Sequence, residues 1–295
     1  MAMLSSAVLL LALSLFGSTT PASAATTKRA VTPLPANGKF DYQIGGVYTP
    51  ASDVRVVTRD REASPVSGKY NICYVNAFQT QPGEQSLWQS KYTFTISQYV
   101  SRPTAFPPLL APQNDHLLLR RPDGSYFIDD DWPDEFILDT STDANRQAIA
   151  TIVNGWISDC ASKGFNAIEA DNLDTFTRTD GLLTKANNLA YAKLLADHAH
   201  SLNLAFGQKN AAELGSQGKQ TVGFDFAVAE ECQEFDECDE YTDAYGNQVL
   251  EIEYVSNGLQ TWQDACNARG SSISIIYRDV EVVAAGQGGY EYREC

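Results

Sequence analysis

The chain has 295 residues, 37 acidic against 21 basic, and a formal net charge of −16. Its hydrophobic share of 43% and aromatic share of 11% suffice to build a core, which excludes a disordered chain. The charge excludes a duplex nucleic-acid partner, because neutralising phosphates needs a basic face.

The N-terminus reads as a secretory leader. Residues Ala7 to Phe16 (AVLLLALSLF) form an apolar run too short to span a bilayer, and Ala22-Ser23-Ala24 is an A-x-A cleavage pattern. No lysine or arginine precedes Lys28. Residues 1–24 are therefore assigned to a signal peptide, 25–39 to a polar, Pro-bearing linker and 40–295 to one domain. Past the leader no apolar run reaches about 18 residues, so no span is expected after cleavage. Six cysteines suit an oxidising compartment and up to three bridges. Cys232 and Cys238 can close a short loop, for about 2 kcal/mol in the chain-entropy model. Cys73, Cys160, Cys266 and Cys295 cannot be paired from spacing; Cys266 with Cys295, leaving Cys73 with Cys160, is one solution.

Strand candidates follow in order: FDYQIG from Phe40, VRVVTRD from Val54 and YNICYVNAF from Tyr70. A long irregular stretch, Gln79 to Thr142, is rich in Pro, Asp and aromatics, and reads as a functional insertion. Asp143 can cap a helix with Ile149, Ile152, Val153 and Trp156 at helical spacing, ending near Lys163-Gly164. FNAIEAD from Phe165, a second helix near Leu183 to Leu202, and the strands LAFGQKN, FDFAVAEE, VLEIEYV and SISIIYRD complete the pattern. Eight strands with interleaved helices predict an α/β fold, a single-domain (β/α)8 TIM-type barrel.

Polar and ionisable residues collect where these strands end. They are Gln43, Arg59 and Asp60, Asn76, Asp171 and Asn172, Lys209 and Asn210, Glu230 and Glu231, Glu253, and Arg278 and Asp279. In a barrel those ends share one face and build the active site. Some acids there could merely cap the next helix. Alternation puts Glu169 and Asp171 on one face of the fourth strand, and Glu230 with Phe226 and Val228 on one face of the sixth. Alternation does not say which face of the sixth strand is inside. Glu253 is expected to point inward, because Leu250, Ile252 and Tyr254 form an apolar face suited to the helix layer. Several acids on one rim fit glycoside hydrolysis, which needs one carboxylic acid and one carboxylate. G-x-S-x-G, H-E-x-x-H and G-x-G-x-x-G are absent, and no cofactor is expected. Two other readings stand beside it. One is a non-catalytic carbohydrate-binding barrel. The other is a metal-dependent hydrolase using Asp171, Asp174 and Glu230.

FDYQIGGVYTP from Phe40, GFNAIEADNLDTFTR from Gly164, the GQKN strand, and FDFAVAEECQEFDEC followed by VLEIEYV resemble glycoside hydrolase family 114. Its members are secreted endo-α-1,4-polygalactosaminidases, and the resemblance runs from about Phe40 to Cys295. It implies a barrel with an Asp ending the fourth strand and a Glu ending the sixth, here Asp171 and Glu230. Many relatives place a non-acidic residue at the position of Glu231, so the resemblance selects Glu230. It also matches Asp174, Lys209, Asn210 and Glu253 to the pocket. The implied roles are Asp171 as nucleophile and Glu230 as acid/base of a retaining enzyme, or base and acid further apart if it inverts. Lys209, if it reaches the pocket, would keep a neighbouring carboxylate ionised. Tyr42, Gln43, Asn76, Asn172, Glu231 and Arg278 are further substrate-binding candidates. Tyr42, Tyr48, Trp88 and Trp132 are candidate sugar platforms. The implied partner is a cationic amino-sugar polysaccharide, which an acidic cleft attracts, and the protein is expected to be a monomer.

Overall fold

The computed structural model describes residues 31–89 and 114–295. The leader, its cleavage site and part of the expected insertion lie outside the described residues. The eight expected strands all form: β1 (Phe40–Gln43), β2 (Val56–Asp60), β3 (Tyr70–Asn76), β4 (Ala167–Asp171), β5 (Ala205–Lys209), β6 (Phe226–Glu230), β7 (Val249–Tyr254) and β8 (Ser274–Arg278). Each pairs in parallel with the next, in sequence order. A short β9 (Tyr292–Glu294), not foreseen from the sequence, runs antiparallel along the free edge of β8.

The helices are α1 (Gln85–Trp88), α2 (Asp143–Lys163), α3 (Lys185–Ser201), α4 (Gly215–Val222), α5 (Cys238–Tyr245) and α6 (Leu259–Arg269). Thr142, rather than Asp143, caps α2, its side chain accepting from the Asn145 amide at 3.1 Å. Gly164 ends that helix with φ 95°, a left-handed conformation that glycine adopts without a Cβ penalty. No helix follows β1 or β2. A polar network covers the outer face of β1 instead, with Gln43 donating to Asp41 at 2.8 Å and Arg59 donating to Gln43 at 2.9 Å. β8 is likewise followed by a loop and β9 rather than a helix, so the result is a barrel of (β/α)8 type with three helix positions replaced.

The barrel closes between β1 and β8 through side chains rather than a backbone ladder. Ser274 Oγ donates to the Gly38 carbonyl at 2.7 Å, Tyr292 OH to Phe40 at 2.6 Å, and Arg278 Nη1 to Tyr42 at 2.7 Å. Edge carbonyls left without partners are costly, and these donors satisfy them. The described part of the expected linker belongs to this packing: Leu34 is buried against the barrel, and Tyr70 OH donates to the Thr32 carbonyl at 3.0 Å.

Two apolar layers result. Phe40, Val56, Ile72, Ala167, Phe226, Val228, Leu250 and Ile276 fill the barrel interior. Outward residues such as Val75, Ile168, Phe206 and Ala227 pack on Val153, Ile157, Leu195 and Tyr241 of the helices. Bridges join Cys73 to Cys160, Cys232 to Cys238 and Cys266 to Cys295. The first ties β3 to α2 across 87 residues. No helix among the described residues is long and apolar enough to cross a membrane.

Gly207 in β5 makes room for the Phe226 ring: an added Cβ would lie 2.6 Å from its Cζ. That ring is fully buried. Gly207→Ala is expected to lower stability by about 1–3 kcal/mol through overpacking, read as a lower urea midpoint. An unchanged midpoint would show that the barrel interior yields.

Candidate active site

The interior of the barrel turns polar at the C-terminal ends of its strands. Lys209, at the end of β5, is almost completely buried. Its Nζ lies 2.9 Å from Asp171 Oδ1, 3.2 Å from Glu230 Oε2 and 3.2 Å from Glu169 Oε1. One tyrosine hydroxyl donates to each of these acids: Tyr42 to Glu169 at 2.6 Å, Tyr74 to Asp171 at 2.6 Å, and Tyr254 to Glu230. Asn210 Nδ2 adds a bond to Glu230 at 2.9 Å, and its Oδ1 accepts the Glu230 amide at 2.9 Å.

The three carboxylates differ in access. The Asp171 and Glu230 side chains are 16% and 20% exposed, while Glu169 is sealed below them at 0%. Burial alone would raise the Asp171 pKa, but the Lys209 ammonium and the Tyr74 hydroxyl outweigh it and hold the carboxyl below its ordinary value. Glu169 is pushed up to about 7, by burial first, against the opposing pull of Lys209. Its Oε2 has no hydrogen-bond partner. Lys209 is held well above its usual value: burial lowers it, and the surrounding carboxylates more than offset that.

Each of these strands ends in a left-handed residue directly after its functional one. Asn172 follows Asp171 with φ 66°, Asn210 follows Lys209 with φ 48°, and Glu231 follows Glu230 with φ 60°. Asparagine enters this region at low cost; glutamate does so more rarely. Glu231 is steadied by Asn257, whose Nδ2 donates to it at 2.6 Å.

A second polar group adjoins the first. Asn172 donates to Asn76 at 2.9 Å, and Asn76 and Gln79 donate to Glu135 at 2.8 and 3.0 Å. Burial pushes Glu135 up to about 7. Arg178 binds Asn172 at 2.7 Å, Asp174 at 2.7 Å, Asp129 at 2.9 Å and Gln79 at 3.1 Å. It fastens the insertion after β3 to the end of β4.

The structure thus brings together Tyr42, Asp171, Lys209, Asn210 and Glu230, with Asn76, Asn172 and Asp174 beside them. Glu169 is a fully buried partner of Lys209. Several expectations are corrected. Glu253 points outward: Leu250, Ile252 and Tyr254 face the barrel interior, and Glu253 accepts the Gln233 amide at 3.0 Å outside it. Arg278 is a fully buried bolt in the closing seam, and Gln43 belongs to the outer network of β1. Tyr42 and Trp88 are fully buried, so neither offers a sugar platform; Tyr48 is bound to Asp41, and Trp132 remains exposed. The set Asp171, Asp174 and Glu230 is already matched by cations, Lys209 lying between two of its members and Arg178 pairing the third. Sequence reading missed Tyr74, Tyr254, Glu135 and Arg178. Inward alternation with Asn76 would have found Tyr74.

Two reachable carboxylates on the C-terminal rim of such a barrel suit glycoside hydrolysis. The chain belongs to glycoside hydrolase family GH114, whose profile matches residues 20–295. Two solved structures share the fold. Ega3 of Aspergillus fumigatus, crystallised with galactosamine, aligns with a TM-score of 0.66 and 21% identity, covering 90% of this chain and all of that one. The glycoside hydrolase domain of PelA from Pseudomonas aeruginosa aligns with a TM-score of 0.51 and 12% identity, covering 86% and 98%. No curated protein matches the chain.

Removing one partner from a buried ion cluster leaves charge uncompensated. Lys209→Met is expected to cost about 3–5 kcal/mol at pH 7.5, measured by chemical denaturation, and adding Glu169→Gln should restore part of it. No recovery would refute the ring as the source. The buried acids also set a pH slope. Burial pushes Glu253 up to about 8 and Glu169 and Glu135 up to about 7. The native state therefore binds more protons than the unfolded chain above pH ~4.5, so this stability is present at pH 5 and lost toward pH 8. The thermal midpoint should fall over that range, and Glu253→Gln should flatten the fall; an equally steep slope in the variant refutes the assignment.

Proposed function

We propose that the protein is a secreted, endo-acting glycosidase that cleaves an α-1,4-linked, galactosamine-rich polysaccharide by a two-carboxylate, retaining mechanism. The observation that carries this reading is the shared contact with Lys209. Two oxygens held at 2.9 and 3.2 Å from one nitrogen lie within about 6 Å of each other. That puts both acids within reach of one sugar linkage, and the retaining course follows what the family resemblance implies.

Asp171 is the nucleophile. Lys209 and Tyr74 keep it ionised, and its carboxylate attacks the anomeric carbon as the bond to the leaving oxygen breaks. Glu230 gives its proton to that oxygen, held in place by Tyr254 and Asn210. The glycosyl ester on Asp171 is then hydrolysed by a water whose proton returns to Glu230. Asn76, Asn172, Asp174 and Glu231, on the same rim, are proposed to contact the sugar.

A polymer with free amines is cationic, and a chain of net charge −16 attracts it. The galactosamine in the Ega3 crystal supports the same sugar. Secretion is supported by the leader pattern and by three bridges, which persist in oxidising compartments.

The test is hydrolysis of galactosamine, partly acetylated galactosamine and glucosamine polymers in the presence of chelator. Wild type should release short galactosamine oligomers, and Asp171→Asn and Glu230→Gln should each lose about 10³-fold, equivalent to about 4 kcal/mol of barrier. The first anomer seen by NMR should keep the α configuration. Full activity in either variant, or binding with no product from wild type, ends the catalytic assignment.

A further inference from the structure

We propose that Trp132 and Phe235 are paired aromatic platforms that hold rings of a cationic amino-sugar chain on either side of the Asp171–Glu230 pair. The inference rests on the reading of the reaction above and adds where the polymer lies.

Among the described residues these are the only exposed aromatic side chains, Trp132 at 46% and Phe235 at 64%. A single exposed apolar residue is ordinary on a soluble protein. Here both rings stand on loops that leave the C-terminal ends of strands. Trp132 lies in the insertion after β3, and Phe235 in the loop after β6. Taken in strand order around the rim, Trp132, Asp171, Lys209, Glu230 and Phe235 follow one another from β3 to β6. An extended chain lying over the two carboxylates would meet one ring on each side.

Both rings are held rather than trailing. Phe235 stands in the loop closed by Cys232 and Cys238, its amide donating to the Glu231 carbonyl at 3.1 Å. Gln233 in the same loop donates its amide to Glu253 at 3.0 Å and accepts from Arg269 at 2.8 Å. Trp132 sits in a turn whose amide donates to the buried Asp129 at 3.2 Å, and Asp129 is bound by Arg178. Ordering a loop costs conformational entropy, and neither ring recovers it by burial in the fold. A ligand that covers the ring would recover it.

The surroundings select the ligand. The apolar C–H face of a pyranose lies flat on an aromatic ring, and an amino-sugar adds an ammonium that both the ring and carboxylates attract. Asp131 and Asp134 are exposed beside Trp132, and Glu234 and Asp236 beside Phe235. Glu253 thus becomes a positioning residue: it never meets the sugar but fixes the loop that carries Phe235.

The experiment compares Trp132→Ala, Phe235→Ala and Phe235→Trp with wild type on the galactosamine polymer and on a two-ring oligomer. Polymer affinity is measured by calorimetry on the inactive Asp171→Asn background. Each alanine variant should weaken polymer binding by about 5- to 10-fold, mainly through KM in the active enzyme. Its loss on the polymer should exceed its loss on the two-ring substrate, and Phe235→Trp should restore binding. Thermal midpoints within about a degree of wild type would exclude misfolding. Equal losses on long and short substrates, or polymer affinity unchanged by both alanine variants, would overturn the proposal. Affinity is read without turnover, so a wild type that binds the polymer through these rings but cleaves nothing would sink the reaction and leave the platforms standing.

Discussion

One ammonium group sets the terms for this site. Lys209 is buried among three carboxylates, and each of these also takes a tyrosine hydroxyl from another strand. A lone buried ammonium or a lone buried acid would lose its charge. Here each sustains the other, and burial raises the pKa of Glu169, the acid sealed beneath the other two. Six strands contribute to the cluster: β1, β3 and β7 through Tyr42, Tyr74 and Tyr254, and β4, β5 and β6 through the charged residues. The barrel must close for these groups to meet at all. Gly207, two residues before Lys209, leaves room for the Phe226 ring in the layer beneath.

Much of this was legible in the residues. Apolar runs ending in ionisable ones located all eight main strands and put Asp171, Lys209 and Glu230 on one rim. Phase was legible only where one face carried charge and the other did not. In β7 the alternation was read correctly and its direction wrongly. Strands of a parallel barrel are buried on both faces, so the apolar side is not necessarily the helix side. The interior below the rim is itself apolar, and Glu251 finds its partner outside in Arg269, at 2.8 Å and 3.0 Å. Tyr74 and Tyr254 were missed because a tyrosine in a strand looks like packing until its hydroxyl partner is known. β9 and the seam could not be seen, since three residues pairing across the barrel leave no periodic trace. The bridge Cys73–Cys160 depends on the register between β3 and α2, which spacing does not encode.

The rim is built unevenly. After β1 and β2 there are no helices, and the wall there is a network of Asp41, Gln43, Arg59 and Tyr48. After β3 the chain makes its long excursion, and Arg178 ties that excursion back to Asn172 and Asp174. The acids and exposed aromatics of the working face therefore concentrate between β3 and β6, while the seam side is given over to closure.

The left-handed residues after Asp171, Lys209 and Glu230 have a consequence for how such a protein changes over time. Each reverses the backbone at once, so the loop beyond departs in a new direction instead of extending the strand. A lengthened or exchanged loop then pulls on Asn172, Asn210 or Glu231 before it can move the charged residue behind it. The three turns separate the part of the chain that holds the buried charged cluster from the loops beyond it. The rim loops are free to drift in sequence over a charged cluster that stays still.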